Sequence, residues 1–390
     1  MNQRTALTNL KVVLPSEVLE DMSIILEGSR ILDIVPLGRE SGFTTKFDLK
    51  GQIAFPGFID VHVHGGGGGS FSCTDSAKHF AARQFHLSNG TTSLYATTST
   101  TDLNTFRDSL SALSESSTID NGSRVLGIHT EGPFLSPKKQ GAHQTSLLRD
   151  GSINEFQELI KASSNLIKRT TLAPEIHGGK ELFAFLLHEG IQVSVGHSNA
   201  TYEEALDFFQ LGAKSVTHMF NAMSEFNHRE PGLVGAALDS ANVYTEVILD
   251  EVHVHPAAFR ILLKSRPIDR IVLITDAVSF AGLQDGESPR ADGRAIVKKG
   301  MSVKIKGSNT LAGSSLDMNT ALKNAAKHTN LDLSQLSLIA SMNAANLMGV
   351  ADEFGSLELG KKADIVILND SLNVTGVLLD GRWMSEFFAK

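Results

Sequence analysis

Phe55–Gly69 reads FPGFIDVHVHGGGGG, an apolar run that closes on two histidines one residue apart and then on five consecutive glycines. In an extended strand successive side chains alternate faces, so His62 and His64 share one face while Val61 and Val63 share the other. Two imidazoles therefore converge on one point, either as satisfied histidines at a strand end or as half of a metal site. The glycines allow a sharp turn close to a ligand without Cβ clashes, which gives the expectation that Gly65–Gly69 form an active-site loop that orders with substrate.

The rest of the chain repeats the pattern. Between residues 55 and 345, apolar runs alternate with amphipathic stretches. In order, the runs are GFIDVHVH, TTSLYATT, RVLGIHTE, KRTTLAPE, IQVSVGH, AKSVTHMF, YTEVILDEVHV and RIVLITDA. Intervening segments such as DSAKHFAARQFHLSNG and NATYEEALDFFQLGA have helical spacing and end near glycine. Eight such units predict an α/β fold with a (β/α)8 TIM barrel over residues 55–345. Short β-rich segments at the two ends, residues 1–54 and 346–390, predict a small β-sandwich domain built from both termini. AIVKKGMSVKIKGSNTLAG, after the eighth run, reads as a hairpin rather than a ninth unit.

In a parallel barrel, functional groups sit where the strands end. The runs here end in His62 and His64, in His129, Thr130 and Glu131, in Glu175, His197 and His218, in Asp250 and His253, and in Asp276. Taken singly, each has a bland explanation: Glu131 and Asp276 can cap a turn or a helix, His197 precedes the possible caps Ser198 and Asn199, and His218 can be a satisfied core histidine. Together those explanations require separate accidents at one rim. A metal centre requires this convergence of imidazole and carboxylate.

Composition narrows the partners. The chain has 390 residues and a formal net charge of -8, which offers no general attraction to nucleic acid or anionic lipid, so an anionic ligand must be met by a local basic group. The single cysteine, Cys73, excludes an intrachain disulfide framework. The sequence lacks a secretory-type apolar segment near its start and any run long enough to span a bilayer, so the expectation is a cytoplasmic protein with no membrane association.

The segments PGFIDVHVHG, HTEGPF, GHSNAT, THMFNAM, HREPGLVGAAL, ITDA and TLAGS occur in one order across nearly the whole chain. In this the sequence resembles the N-acetylglucosamine-6-phosphate deacetylases of the amidohydrolase superfamily, whose closing pattern it also carries at Gly355–Val366. The resemblance implies hydrolysis of N-acetyl-D-glucosamine 6-phosphate to D-glucosamine 6-phosphate and acetate. It implies that Glu131, His197 and His218 ligate one divalent metal and that His62 and His64 help to hold a second, with Glu131 bridging. Zinc, iron, cobalt and manganese all suit such ligands, and one or two ions are compatible with them. A bridging carboxylated lysine is not expected, because LAPEIHG has no lysine at the end of the fourth run.

By the same resemblance Asp276 is the catalytic acid/base and His253 contacts the substrate and polarises its carbonyl. Arg229, Asn221 and the Ala222 backbone are phosphate contacts, His143 meets a sugar hydroxyl, and Leu311 packs the acetyl group or closes the site. A homodimer follows by analogy, with a phosphate contact crossing between subunits. Two other enzyme readings keep the chemistry and change the substrate, to the N-acetylgalactosamine 6-phosphate epimer or to a cyclic amide. A catalytically silent sugar-phosphate sensor would be marked by a missing acid/base or ligand; none is missing.

Overall fold

The computed structural model describes residues 4–120 and 122–384. The outermost parts of the expected terminal domain, residues 1–3 and 385–390, lie outside them. The chain opens with β1 (Arg4–Val13), β2 (Val18–Glu27), β3 (Arg30–Pro36) and β4 (Thr45–Pro56). It then enters β5 (Phe58–Val63), followed by the two-residue strands β6 (Gly65–Gly66) and β7 (Gly69–Ser70). Next come β8 (Thr91–Ser99), β9 (Arg124–Glu131), β10 (Ile167–Leu172), β11 (Gln192–Val195), β12 (Ser215–Val216), β13 (Tyr244–Ile248) and β14 (Ile271–Ile274). Each of the eight apolar runs supplies one barrel strand, and neighbours pair in parallel in the order β5, β8, β9 through β14.

The helices between these strands cover the outside. The first is α1 (Ser76–Ser88), started by Asp75, whose carboxylate accepts the Ala77 amide. Another, Tyr202–Leu211, begins with a capping box between Thr201 and Glu204 and stops at Gly212, where φ of 122° excludes most other residues. With helices outside and side chains filling the interior, all six residues of β5 are buried, as expected of a parallel strand covered on both faces. The seam between first and last strands is closed by polar contacts. The Asp276 amide donates to the His62 carbonyl at 2.8 Å, and the Thr275 hydroxyl to the buried Asp60 carboxylate at 2.5 Å.

After β14 the chain makes an antiparallel four-stranded sheet from β15 (Gly286–Pro289), β16 (Ala295–Lys299), β17 (Ser302–Ile305) and β18 (Leu311–Ser314). This enlarges the expected hairpin. The last strands, β19 (Ile365–Leu368), β20 (Val374–Leu379) and β21 (Arg382–Trp383), join β4, β1, β2 and β3 in a seven-stranded sheet, so both termini contribute to one layer. Its own apolar cluster includes Leu7, Ile24 and Leu26 from one terminus with Leu357, Ile365 and Leu378 from the other. Among the described residues no helix is long and apolar enough to cross a membrane.

The glycine run forms a packed hairpin against α1. Gly65–Gly66 and Gly69–Ser70 form a tight hairpin whose amides at Gly65, Gly67 and Gly68 donate to the carbonyls of Ala277, Ala281 and Ser279. A Cβ on Gly69 would lie 2.0 Å from the Lys78 carbonyl oxygen, and one on Gly66 would lie 2.5 Å from the Phe85 ring. Glycine is required because α1 packs directly on this backbone. Gly69→Ala is accordingly expected to destabilise the fold by about 1–3 kcal/mol, the usual cost of overpacking. Thermal unfolding checks this: a freely moving loop would accept the methyl group with no change in Tm.

A candidate metal centre in the barrel mouth

The strand ends deliver a buried cluster. The two carboxylate oxygens of Glu131, at the end of β9, are shared among histidines from four other segments. Oε1 lies 3.2 Å from His197 Nε2 and 3.0 Å from His218 Nε2, while Oε2 lies 3.1 Å from His64 Nε2. His62 Nε2 is 3.5 Å from Oε1, and Asp276 Oδ1 is 3.2 Å from His64 Nε2 and 3.5 Å from His62 Nε2. His62, His64, Glu131 and Asp276 can direct four ligand atoms at one point, and Glu131 also belongs to a second such group with His143 and His197.

The protonation of two histidines follows from their other ring nitrogens. His197 Nδ1 lies 2.8 Å from the Lys139 carbonyl and His218 Nδ1 lies 3.1 Å from the Asn221 carbonyl. A carbonyl only accepts, so each Nδ1 carries the proton and each Nε2 presents a lone pair in the neutral ring. These lone pairs are 3.2 Å apart and both face Glu131 Oε1. Three electron-rich atoms pointed at one another repel unless a cation lies between them. The donor set therefore fits a divalent metal, with the outer hydrogen bonds orienting each ligand. Burial alone would raise the Glu131 pKa, but the charge of the neighbouring His62 holds its carboxyl well below the usual range.

The backbone carries strain at this rim. His197, His218 and Asp276 have φ of 46°, 31° and 49°. Non-glycine residues in this left-handed region cost about 1–3 kcal/mol each and persist where surrounding structure enforces them, as at functional sites.

Above the cluster is a cavity of about 350 Å³, within the range of small-molecule sites. His143, Asn221, Ala222, His253 and Leu311 line it together with His64, Glu131, His197, His218 and Asp276. His62 lies beneath, fully buried. Arg229 is the exception: it stands exposed, outside the cavity lining, and makes no ion pair among the described residues. Glu175 also departs from the rim pattern. It receives the Ser198 hydroxyl at 2.8 Å and the Asn199 amide at 2.6 Å, and so braces the loop after His197.

Two contributors, Glu246 and Arg290, escape the sequence pattern, and Asp250, which ends the seventh run as expected, gains a role there. Asp250 accepts the amides of Val252 and His253 at 2.9 and 2.7 Å and also meets His253 Nδ1 at 2.7 Å. Burial disfavours the imidazolium of His253, but this carboxylate outweighs it and raises the pKa above the ordinary value. Glu246, fully buried under the cluster, lies 3.5 Å from His62 Nδ1 and pairs with Arg169 inside the barrel. Its signal was available: it is two residues before Ile248, which lines the cavity, and so shares its face. Arg290 reaches the cavity from the β15–β16 connection, a place that no local pattern marks.

The His253–Asp250 pair carries a prediction. A protonated His253, with one N–H on Asp250, has the other free to donate to a substrate carbonyl. Asp250→Asn removes the stabilising charge and is expected to lower kcat by about tenfold to a hundredfold. Because the raised pKa preserves the donor until pH climbs through it, the alkaline limb of the kcat/KM profile moves to lower pH in the variant. An unmoved limb excludes His253 as that donor.

An eight-stranded parallel barrel with a His/Glu/Asp cluster at its carboxyl mouth and β-rich termini defines a metal-dependent hydrolase architecture, and the amidohydrolase family model matches residues 53–384: the chain belongs to that family. The N-acetylglucosamine-6-phosphate deacetylase of Bacillus subtilis (strain 168) is 33% identical over 386 residues, which cover 96% of this chain and 95% of that one. The N-acetylgalactosamine-6-phosphate deacetylase of Escherichia coli O157:H7 is 34% identical over 340 residues, with 86% and 88% covered. Among solved structures, a variant of the Mycobacterium smegmatis N-acetyl-D-glucosamine-6-phosphate deacetylase in complex with N-acetyl-D-glucosamine-6-phosphate matches with a TM-score of 0.92 and 31% identity, covering 98% of this chain and 99% of that one.

Proposed function

We infer that this enzyme hydrolyses N-acetyl-D-glucosamine 6-phosphate to D-glucosamine 6-phosphate and acetate. The observation that supports it most is the pair of Nε2 lone pairs turned on Glu131 Oε1 at the floor of a cavity sized for one sugar phosphate. Full-length likeness to deacetylases supports the substrate class.

In this reading His62, His64, Glu131, His197 and His218 hold one or two divalent ions. When bound, such an ion lowers the pKa of water from about 15.7 towards about 7 and draws electron density from an amide carbonyl. Asp276 takes the proton of the attacking water and returns it to the departing amine, which cannot leave as an anion. His253 donates to the carbonyl oxygen as negative charge develops there. His143 holds a sugar hydroxyl, Leu311 packs against the acetyl methyl, and Asn221 with the Ala222 backbone takes the phosphate. Arg229, exposed on its loop, serves as a phosphate contact offered to a second copy, which makes the working form a homodimer in the cytoplasm.

The test is acetate release from both phosphorylated epimers, with metal analysis of the same sample. The expected result is faster release from the gluco epimer by a protein that carries zinc, iron, cobalt or manganese. Absence of release from either epimer by the metal-loaded protein overturns the reading, and faster release from the galacto epimer replaces its substrate.

A further inference from the structure

Beside the catalytic cavity lies a second chamber of about 180 Å³. The two share His64, Ser99, Val278 and Arg290 in their walls. The smaller one therefore adjoins the metal cluster on the His64 side, away from Asn221 and Ala222, which line only the larger. Nothing in the proposed reaction uses it.

Its polar lining includes the hydroxyls of Ser70 and Ser72, the cations Lys78 and Arg290, and the carboxylate of Asp292. The Ser72 hydroxyl oxygen accepts the Ser99 amide at 2.8 Å, and the Ser70 hydroxyl oxygen accepts the Ser72 amide at 3.3 Å. Each oxygen is engaged as an acceptor, which leaves its own O–H to be given to a guest. Arg290, whose side chain is only 12% exposed, has Asp292 as its ion-pair partner, with Nε 3.3 Å from Oδ2. That carboxylate is already committed to Arg294 at 2.6 Å, and the Arg294 guanidinium also donates to the Ala142 carbonyl. Two guanidinium groups thus share the Asp292 carboxylate, Arg290 also faces the charges of Glu131 and Asp276, and Lys78 stands at the outer rim. In a chain of net charge -8, this gathers three cationic side chains beside a buried metal cluster.

A guest here must be small, anionic and rich in acceptors. At about 180 Å³ the chamber is about half the size of the catalytic cavity, which suits a short carboxylate better than a sugar phosphate. Cleaving the amide produces such an ion next to Glu131 and Asp276, whose carboxylates repel it, while the amino-sugar phosphate still fills the main mouth. An arginine fork matches a carboxylate with two parallel hydrogen bonds.

We propose that this chamber, with Arg290 at its inner end and Ser70, Ser72 and Lys78 along it, binds the acetate released by the reaction and conducts it out separately from the sugar. This rests on the deacetylase reading for the identity of the ion, but its site can be tested without turnover.

Binding of ¹³C-acetate to the metal-loaded protein is read by NMR line broadening, for the parent, Arg290→Met and Lys78→Met. Acetate is expected to bind the parent, with affinity weakened about tenfold or more in Arg290→Met and less in Lys78→Met, as befits a buried and a rim cation. In steady-state assays acetate inhibition is expected to weaken by the same factor, exceeding any change in KM. Equal binding by parent and Arg290→Met means that acetate sits on the metal alone and overturns the proposal. A KM raised for the phosphorylated sugar but not for unphosphorylated N-acetylglucosamine also overturns it, by making Arg290 a phosphate contact. If the parent binds acetate through Arg290 but releases none from any sugar, the chamber stands and the deacetylase reading falls.

Discussion

Asp276→Asn is expected to keep its bound metal and lose turnover by about 10²–10⁴-fold, the range associated with a positioned acid/base. The carboxylate stands 3.2 Å from His64 and 3.5 Å from His62 in the cavity lining. Burial opposes its ionisation, but His62 and His64 hold its pKa below the ordinary value, so at neutral pH it is a carboxylate ready to accept a proton. Asparagine keeps the shape but cannot take that proton. It is also the right substitution for the backbone, since φ of 49° is a conformation that Asn tolerates nearly as well as Asp, whereas Ala would add strain. Metal content and single-turnover release of acetate check the expectation. A variant with normal metal and more than about a tenth of parent turnover excludes Asp276 as the proton carrier, because such a loss is smaller than removal of an acid/base brings.

The site is legible in the sequence to the extent that barrel topology makes it so. Once eight apolar runs are recognised as parallel strands, their carboxyl ends must share one rim, and whatever terminates them must meet. This is why His64, Glu131, His197, His218 and Asp276 can be grouped although they span more than two hundred residues, and why the structure brings their side chains within hydrogen-bonding distance. Alternation within a strand also places His62 correctly on the face of His64. What local pattern cannot convey is which backbone passes over which. The glycines at 65–69 answer to α1, whose Lys78 and Phe85 lie against them, and that crossing is invisible in the run itself. Arg290 comes to the cavity just after β15, a strand that is mostly exposed, so no burial pattern announces it. Arg229 has the opposite history. The motif around it suggests a binding residue, yet within one chain it stands exposed, outside the cavity lining.

Glu131→Gln should have the most general effect, since every ligand group at the mouth converges on that carboxylate. Both candidate sets of metal ligands contain it. Oε1 serves His197 and His218, and Oε2 serves His64 while lying 3.5 Å from His143. Glutamine preserves the volume but replaces an anionic ligand with a neutral carbonyl and an NH₂ that turns donor hydrogens toward the metal position. Loss of an outer-shell partner alone weakens metal binding by about 10–100-fold, so loss of a shared inner ligand is expected to exceed that and leave the purified variant nearly metal-free. The NH₂ group then finds the lone pairs of His197, His218 or His64 within reach and relieves their repulsion. The variant should therefore remain folded, with a Tm near that of the metal-stripped parent rather than below it. Chelator competition gives the affinity and elemental analysis the occupancy. A variant that retains metal at parent stoichiometry and hydrolyses substrate at a comparable rate would place the ions elsewhere, and the histidine lone pairs around residue 131 would then need another explanation.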